Sequence, residues 1–178
     1  VRGAVADAHP GSLSVNGRSV GAAADGSFAS QLELPEGAHT LDVEAVDSVG
    51  NRASLSRGLR IDLSAPELRI TAPTAGSILG SATVEVRGTV ADAAAVERVT
   101  VNGLDALLEA GGAFRLAELG LAEGANTIVA RAWDGAGNSG TRSVEVTVDT
   151  VAPEVLATVP ADGASGVPPS ARPRVRFS

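Results

Sequence analysis

Few side chains in this 178-residue chain could take part in catalysis. A serine nucleophile needs a base within hydrogen-bond reach, and His9 and His39 are the only two imidazoles. Both lie in predicted turns, and His39 stands where a second copy of the same stretch has Asn126. Cysteine is absent, so thiolate catalysis and cysteine-ligated metals are excluded. We therefore expect no catalytic residues, and we expect the chain not to be an enzyme.

The acidic residues are more numerous, and several of them occur twice. Asp47 and Asp134 are separated by the same offset (134 − 47 = 87) as Asp62 and Asp149. Asp47 and Asp134 each begin an Asp-x-x-Gly-Asn turn, in which the aspartate accepts backbone hydrogen bonds. Spacing alone leaves open a pair of carboxylates acting as acid and base, but a duplicated acid favours a duplicated structural role. The other acids shared by both copies are Asp7 with Asp92 and Glu36 with Glu123.

The same offset gives the length of a repeating module, whose copies include residues 38–66 and 125–153. Apolar residues alternate with polar ones in both copies, which predicts strands with one face toward a core. The predicted core-facing residues are Leu41, Val43 and Ala45 in the first copy and Ile128, Ala130 and Ala132 in the second. Asn-Gly pairs at 16–17 and 102–103 predict tight hairpins, because both positions of that turn need positive φ. One extra residue in the second copy predicts a β-bulge near 117–120.

Strands spaced by about ten residues and separated by Gly, Asn and Pro turns predict an all-β fold of tandem Ig-like antiparallel β-sandwiches. No segment has a helical period. We expect three domains. Residues 1–64 form an Ig-like sandwich that lacks its first strand, residues 65–151 form a complete one, and residues 152–178 are the truncated start of a third.

Composition argues against several classes of partner. The net charge is −7, and all 14 basic residues are arginine without a basic cluster, so nucleic acid is not an expected partner. No run of about 18 apolar residues is present, so we expect no membrane span in this chain. The absence of cysteine fits a secreted bacterial surface protein stabilised by its sheets alone, and it also fits a cytosolic protein.

The ordered motifs resemble those of bacterial immunoglobulin-like (Big) repeats, the tandem domains of secreted and cell-surface proteins. The motifs are Val-Asn-Gly, Gly-x-Phe, Glu-Gly-x-(Asn/His)-Thr, Ala-(Val/Trp)-Asp-x-x-Gly-Asn and a linker Asp-x-x-Ala-Pro, each present in both copies. After Pro153 the sequence instead resembles the start of an S-layer-type bacterial Ig-like domain.

The resemblance implies a structural spacer or adhesive stalk in a bacterial protein that is extracellular or on the cell surface. The alternative is an accessory or carbohydrate-contacting β-region of a secreted carbohydrate-active enzyme. A third reading is a protein-recognition module that pairs through an edge strand. The implied partners are a cell-surface protein or a glycan, and the implied state is a monomeric rod within a longer chain.

The resemblance also implies ligand sites. Calcium bound at linker aspartates is the implied cofactor, with Asp62 and Asp149 as ligands and Asp47 or Asp134 as helpers. Calcium requires six to eight oxygen ligands, and no dense Asp-x-Asp run supplies them. Trp133, the only tryptophan, is predicted to point away from the core, where it could stack on a sugar or cover a neighbouring strand.

Overall fold

The computed structural model describes residues 1–7 and 9–178. This part of the chain consists of strands and turns and contains no helix, which confirms the predicted all-β class. The strands are β1 Arg2–Ala4, β2 Pro10–Val15, β3 Arg18–Ser19, β4 Ser27–Ala29, β5 Gly37–Asp47, β6 Arg52–Ile61, β7 Glu67–Ala72, β8 Ile78–Leu79, β9 Thr83–Ala91, β10 Val96–Val101, β11 Leu104–Asp105, β12 Leu107–Leu108, β13 Ala113–Gly120, β14 Gly124–Asp134, β15 Ser139–Val148, β16 Val155–Val159 and β17 Arg174–Phe177.

The chain folds as two compact units. The first comprises Val1–Pro66, Asp92–Glu97 and Trp133–Gly140, and the second comprises Glu67–Ala91, Arg98–Ala132 and Thr141–Ser178. Each unit thus draws on more than one stretch of the sequence. The domain boundaries derived from the repeat stay a prediction.

The first unit contains an antiparallel sheet in the order β3-β2-β5-β6 and a separate pair, β1 with β4. Leu13 and Val15 of β2 are buried, at 6% and 0% exposure. Leu41, Val43 and Ala45 of β5 are only half-buried, so the predicted core face is incompletely covered. The reason is that β1 and β4 have three residues each, whereas β5 and β6 have eleven and ten. A cleft of about 850 Å³ remains in this unit.

The second unit contains an antiparallel sheet in the order β12-β13-β9-β7. The strands β10, β14 and β15 belong to a five-stranded sheet in the order β11-β10-β14-β15-β8. Ile128, Ala130 and Ala132 are fully buried, which confirms the predicted inward face of β14. The rest of this core is mainly valine, with one aromatic ring. Its buried members include Val86, Val90, Val99, Val101, Phe114, Val146 and Val148.

Two local predictions are confirmed by the backbone. Asn16 and Asn102 have φ angles of 49° and 47°, and the glycine after each also has positive φ. These are the left-handed conformations that a two-residue hairpin needs. The pairing of β13 with β9 shifts register between Leu116 and Leu119, which is the predicted bulge.

The segment after the second repeat forms a hairpin of β16 and β17, with all strand residues exposed. No helix in the described residues has the length and apolar character needed to cross a bilayer.

Candidate metal centre

The Asp-x-x-Gly-Asn turn that follows β14 is held by its aspartate. Oδ1 of Asp134 accepts the backbone N–H groups of Ala136 (2.9 Å) and Asn138 (2.8 Å), and its Oδ2 accepts the side-chain amide of Asn138 at 2.9 Å. The copy after β5 does the same. Asp47 accepts the N–H groups of Val49 and Asn51 and the Asn51 amide at 2.6 Å. The duplicated aspartate therefore has the duplicated turn role that the sequence predicts.

The two turn aspartates differ in their surroundings. Asp134 is only 2% exposed, whereas Asp47 is half-buried. Burial raises the pKa of Asp134, but the hydrogen bonds from Asn138, Ala136 and Gly137 outweigh it, so the pKa lies below the ordinary value. For Asp47 the hydrogen bond from the Asn51 side chain is the largest influence, and it also lowers the pKa. Both carboxylates are therefore ionised at neutral pH.

Asp62 directly follows β6 and turns the chain toward Pro66. Its Oδ1 accepts the N–H of Ser64 at 3.1 Å, and its main-chain carbonyl accepts the Asn138 amide at 3.1 Å. Its Oδ2 is buried, and it has no hydrogen-bond partner among the described residues. A buried carboxylate oxygen without a partner is costly, since it has lost water and gained nothing in exchange.

Asp92, which directly follows β9, brings a third carboxylate to the same place. Its Oδ1 accepts the N–H of Ala94 at 2.8 Å, and the residue is half-buried. One carboxylate oxygen each from Asp62, Asp92 and Asp134 lie within 4.8 Å of one another. All three residues belong to the first compact unit.

The structure thus joins two of the four predicted calcium ligands, Asp62 and Asp134, and adds Asp92. Within the described residues, Asp47 and Asp149 are not part of this group. Oδ1 of Asp149 accepts the N–H of Val151 at 3.2 Å. Asp92 was recognised in the sequence only as a duplicated acid. The sequence signal that could have drawn attention to Asp92 is its position directly after a predicted strand. That position does not show which other acids lie near it in the fold.

The remaining candidate residues have structural contacts. Nε2 of His39 donates to the carbonyl of Pro35 at 2.7 Å, and Nδ2 of Asn126 donates to the carbonyl of Ala122 at 2.7 Å. Both residues lie near the start of a strand, β5 and β14, and not in the predicted turn, but the two positions share the same contact to a carbonyl four residues earlier. The backbone N–H of His9 donates a hydrogen bond to Oδ1 of Asp7 at 2.7 Å.

Trp133 lies between the buried Ala132 and Asp134 and is itself half-buried. This placement confirms that its ring is off the core face.

A family model for glucodextranase, domain B, matches the chain twice, over residues 1–63 and 66–150. The chain belongs to the glucodextranase domain B family. Each match contains most of one copy of the sequence repeat. In this domain B chain, Asp62 comes from the first matched segment, and Asp92 and Asp134 come from the second.

The comparison with solved structures finds matches that include three from different proteins. Fibronectin(III)-like modules of CbhA from Clostridium thermocellum are 19% identical, with 82% of each chain covered and a TM-score of 0.44. A tetra-tandem repeat in the extending region of a large adhesion protein is 24% identical over 88% of this chain and 47% of that one, with a TM-score of 0.43. SGBP-B of the Bacteroides ovatus mixed-linkage glucan utilization locus, solved with a heptasaccharide, is 14% identical over 83% and 39%, with a TM-score of 0.27. The comparison with curated proteins finds no match.

Proposed function

We propose that this chain is a non-catalytic accessory β-region of a secreted carbohydrate-active enzyme, and that it contacts the glucan on which that enzyme acts. The observation that carries the proposal is the double family match, because both repeats match domain B of a glucan-degrading enzyme. This favours the accessory function over the adhesive stalk that the sequence repeat alone predicts.

The contacts of the duplicated acids support a non-catalytic role. Glu36 accepts the hydroxyl of Ser64 at 2.8 Å, and Glu123 accepts the hydroxyl of Thr150 at 2.7 Å. Each glutamate therefore fixes the linker segment that follows its own repeat. A general acid or base instead needs a carboxyl group that can reach a substrate proton.

The same contacts favour a second candidate function, a structural spacer. A linker that is hydrogen-bonded to its own repeat is more restricted than a free flexible chain. A spacer of a surface protein and an accessory region of an enzyme both use this property, and they differ in what they are attached to. The S-layer-type character of residues 152–178 stays a prediction.

Native affinity electrophoresis with the purified 178-residue protein tests glucan contact. We expect slower migration in gels containing dextran or mixed-linkage β-glucan than in gels containing xylan or no polysaccharide. Equal migration in all gels would contradict glucan contact.

Trp133→Ala tests whether the half-buried ring contributes to glucan contact, because sugar stacking on an aromatic ring is lost with the ring. Lost stability with unchanged migration would assign Trp133 a packing role.

Sequencing the gene on both sides of this region tests the accessory function separately. A glycoside-cleaving domain encoded in the same reading frame is the expected result. Further repeats of the same length that lead to a wall anchor would instead establish the stalk.

A further inference from the structure

We propose that Asp62, Asp92 and Asp134 form a calcium site. The proposal does not depend on the proposed function, because it uses only the geometry of these three aspartates. The site includes Asp92, which the sequence did not predict as a ligand. It does not include Asp47 or Asp149, which the sequence did predict.

The three carboxylates are oriented by the same kind of contact. In each one, Oδ1 accepts a backbone N–H two residues further along the chain, from Ser64, Ala94 and Ala136 respectively. Each side chain is thereby held in place. Oδ2 of Asp134 also accepts the Asn138 amide, whereas Oδ2 of Asp62 has no hydrogen-bond partner among the described residues. Oxygen atoms contributed by side chains that are already ordered lose little conformational freedom when a cation binds.

The observation that points to a ligand is the buried carboxylate oxygen of Asp62. Its Oδ2 is buried without a hydrogen-bond partner in the described part of the chain, and it belongs to a residue whose carboxylate lies within 4.8 Å of two others. Like charges at this separation repel one another strongly where water is excluded. A cation among the three oxygens would relieve the repulsion and also give Oδ2 of Asp62 a partner.

The side-chain amide of Asn138 holds two of the aspartates in position. Its amide donates both to the main-chain carbonyl of Asp62 at 3.1 Å and to Oδ2 of Asp134 at 2.9 Å. The corresponding amide in the first repeat, that of Asn51, donates to Oδ2 of Asp47 at 2.6 Å. Asn138 therefore bridges two of the proposed ligand residues, Asp62 and Asp134.

Three carboxylate ligands suit calcium. All donors are carboxylate oxygens, which hard divalent cations prefer. Opposite ligands of Ca²⁺ stand about 5 Å apart, given Ca–O distances of about 2.3–2.6 Å, so oxygens that lie within 4.8 Å of one another can all contact one calcium ion. Mg²⁺, with distances of about 2.0–2.1 Å, would hold its ligands within about 4.2 Å and in a stricter octahedron. Water completes the shell of six to eight oxygens around calcium.

Terbium luminescence provides a direct assay, because Tb³⁺ replaces Ca²⁺ and is excited by nearby indole. Trp133 is the only tryptophan in the chain and precedes Asp134. We expect luminescence that saturates at one Tb³⁺ per chain and is displaced by Ca²⁺. Asp62→Asn and Asp92→Asn should each weaken binding by about ten-fold or more, since each removes a charged ligand. The matched control is Asp149→Asn, which changes the equivalent linker aspartate and should leave binding within about two-fold.

Thermal unfolding distinguishes a calcium site from a structural cap. The wild-type melting temperature should rise by about 10 °C when Ca²⁺ is about 100-fold above its Kd. In chelator the Asp62→Asn protein should be at least as stable as the wild type, because one of three crowded charges is gone. In the presence of Ca²⁺ the wild type should be the more stable of the two proteins. A shared proton would give neither the terbium signal nor this reversal.

Several results would overturn the proposal. They are no terbium signal in the wild type, an equal loss in Asp149→Asn and Asp62→Asn, or an equal response to Mg²⁺ at the same concentration. If Asp62→Asn does not fold, the wild-type titrations and Asp92→Asn decide the question.

Discussion

Gly88 in β9 offers a sharp test of how the second repeat is packed. It pairs with Ile70 of β7 and with Phe114 of β13, so it lies between two strands. A Cβ atom at this position would lie closer than 3.0 Å to the carbonyl oxygen of Arg69 and to the ring of Phe114. Phe114 is 1% exposed and cannot rotate into solvent, and the carbonyl belongs to a paired strand. Gly88→Ala must therefore displace a strand or the core.

The expected cost follows from this geometry. Overpacking a core costs about 1–3 kcal/mol, and we expect the upper end because one neighbour is backbone. Replacing glycine by alanine also lowers the conformational entropy of the unfolded chain, which stabilises the protein by about 0.4–1 kcal/mol. The expected net loss of stability is therefore about 2 kcal/mol. For a domain of this size each kcal/mol lowers the melting temperature by about 4–8 °C. Urea unfolding followed by circular dichroism and by tryptophan fluorescence measures the loss.

Two glycines serve as controls for Gly88→Ala. At Gly120, in the neighbouring strand β13, an added Cβ meets no atom within 4 Å, so Gly120→Ala should be neutral or slightly stabilising. Gly3 pairs with Phe28 of β4 as Gly88 pairs with Phe114 of β13. An added Cβ at Gly3 meets only the ring of Phe28 at 2.8 Å, and Phe28 is half-buried. Gly3→Ala should cost less than about 1 kcal/mol, because that ring can move. Equal effects at Gly88 and Gly120, or at Gly88 and Gly3, would refute the packing argument.

Two further predictions concern turns. Asn102→Ala should cost about 1–2 kcal/mol in urea unfolding, because it places alanine at positive φ and removes the oxygen that accepts the Val129 N–H at 2.7 Å; an unchanged midpoint would contradict this. For Asp47, whose folded pKa lies below the ordinary 3.8 chiefly through Asn51, the stabilising contribution is present above the unfolded value and is lost as pH falls through the folded one. The melting temperatures of the wild type and Asp47→Asn should therefore differ by a constant amount between about pH 5 and 7, and the difference should vanish below about pH 4. A difference that stays constant down to lower pH would show that this carboxylate does not contribute.

Local features of the fold could be predicted from the sequence because their causes are local. The Asn102-Gly103 hairpin follows from backbone sterics, and the burial of Ile128 and Ala130 follows from strand alternation. The incomplete covering of Leu41 could not be predicted, since it depends on the lengths of strands that pair elsewhere. The approach of Asp92 to Asp62 is likewise a tertiary property, and repeat matching obscures it by treating all copies as equivalent.

The two Asp-x-x-Gly-Asn turns have a consequence for how such a protein diverges. A duplication provides two copies of a turn, and in each copy the aspartate accepts the hydrogen bonds that hold the turn. Selection to keep the turn therefore preserves a carboxylate in both copies before either has any other use. Once the surroundings of one copy change, as at Asp134, a new role can arise there without a new mutation at the aspartate. The other copy meanwhile retains the same turn at Asp47.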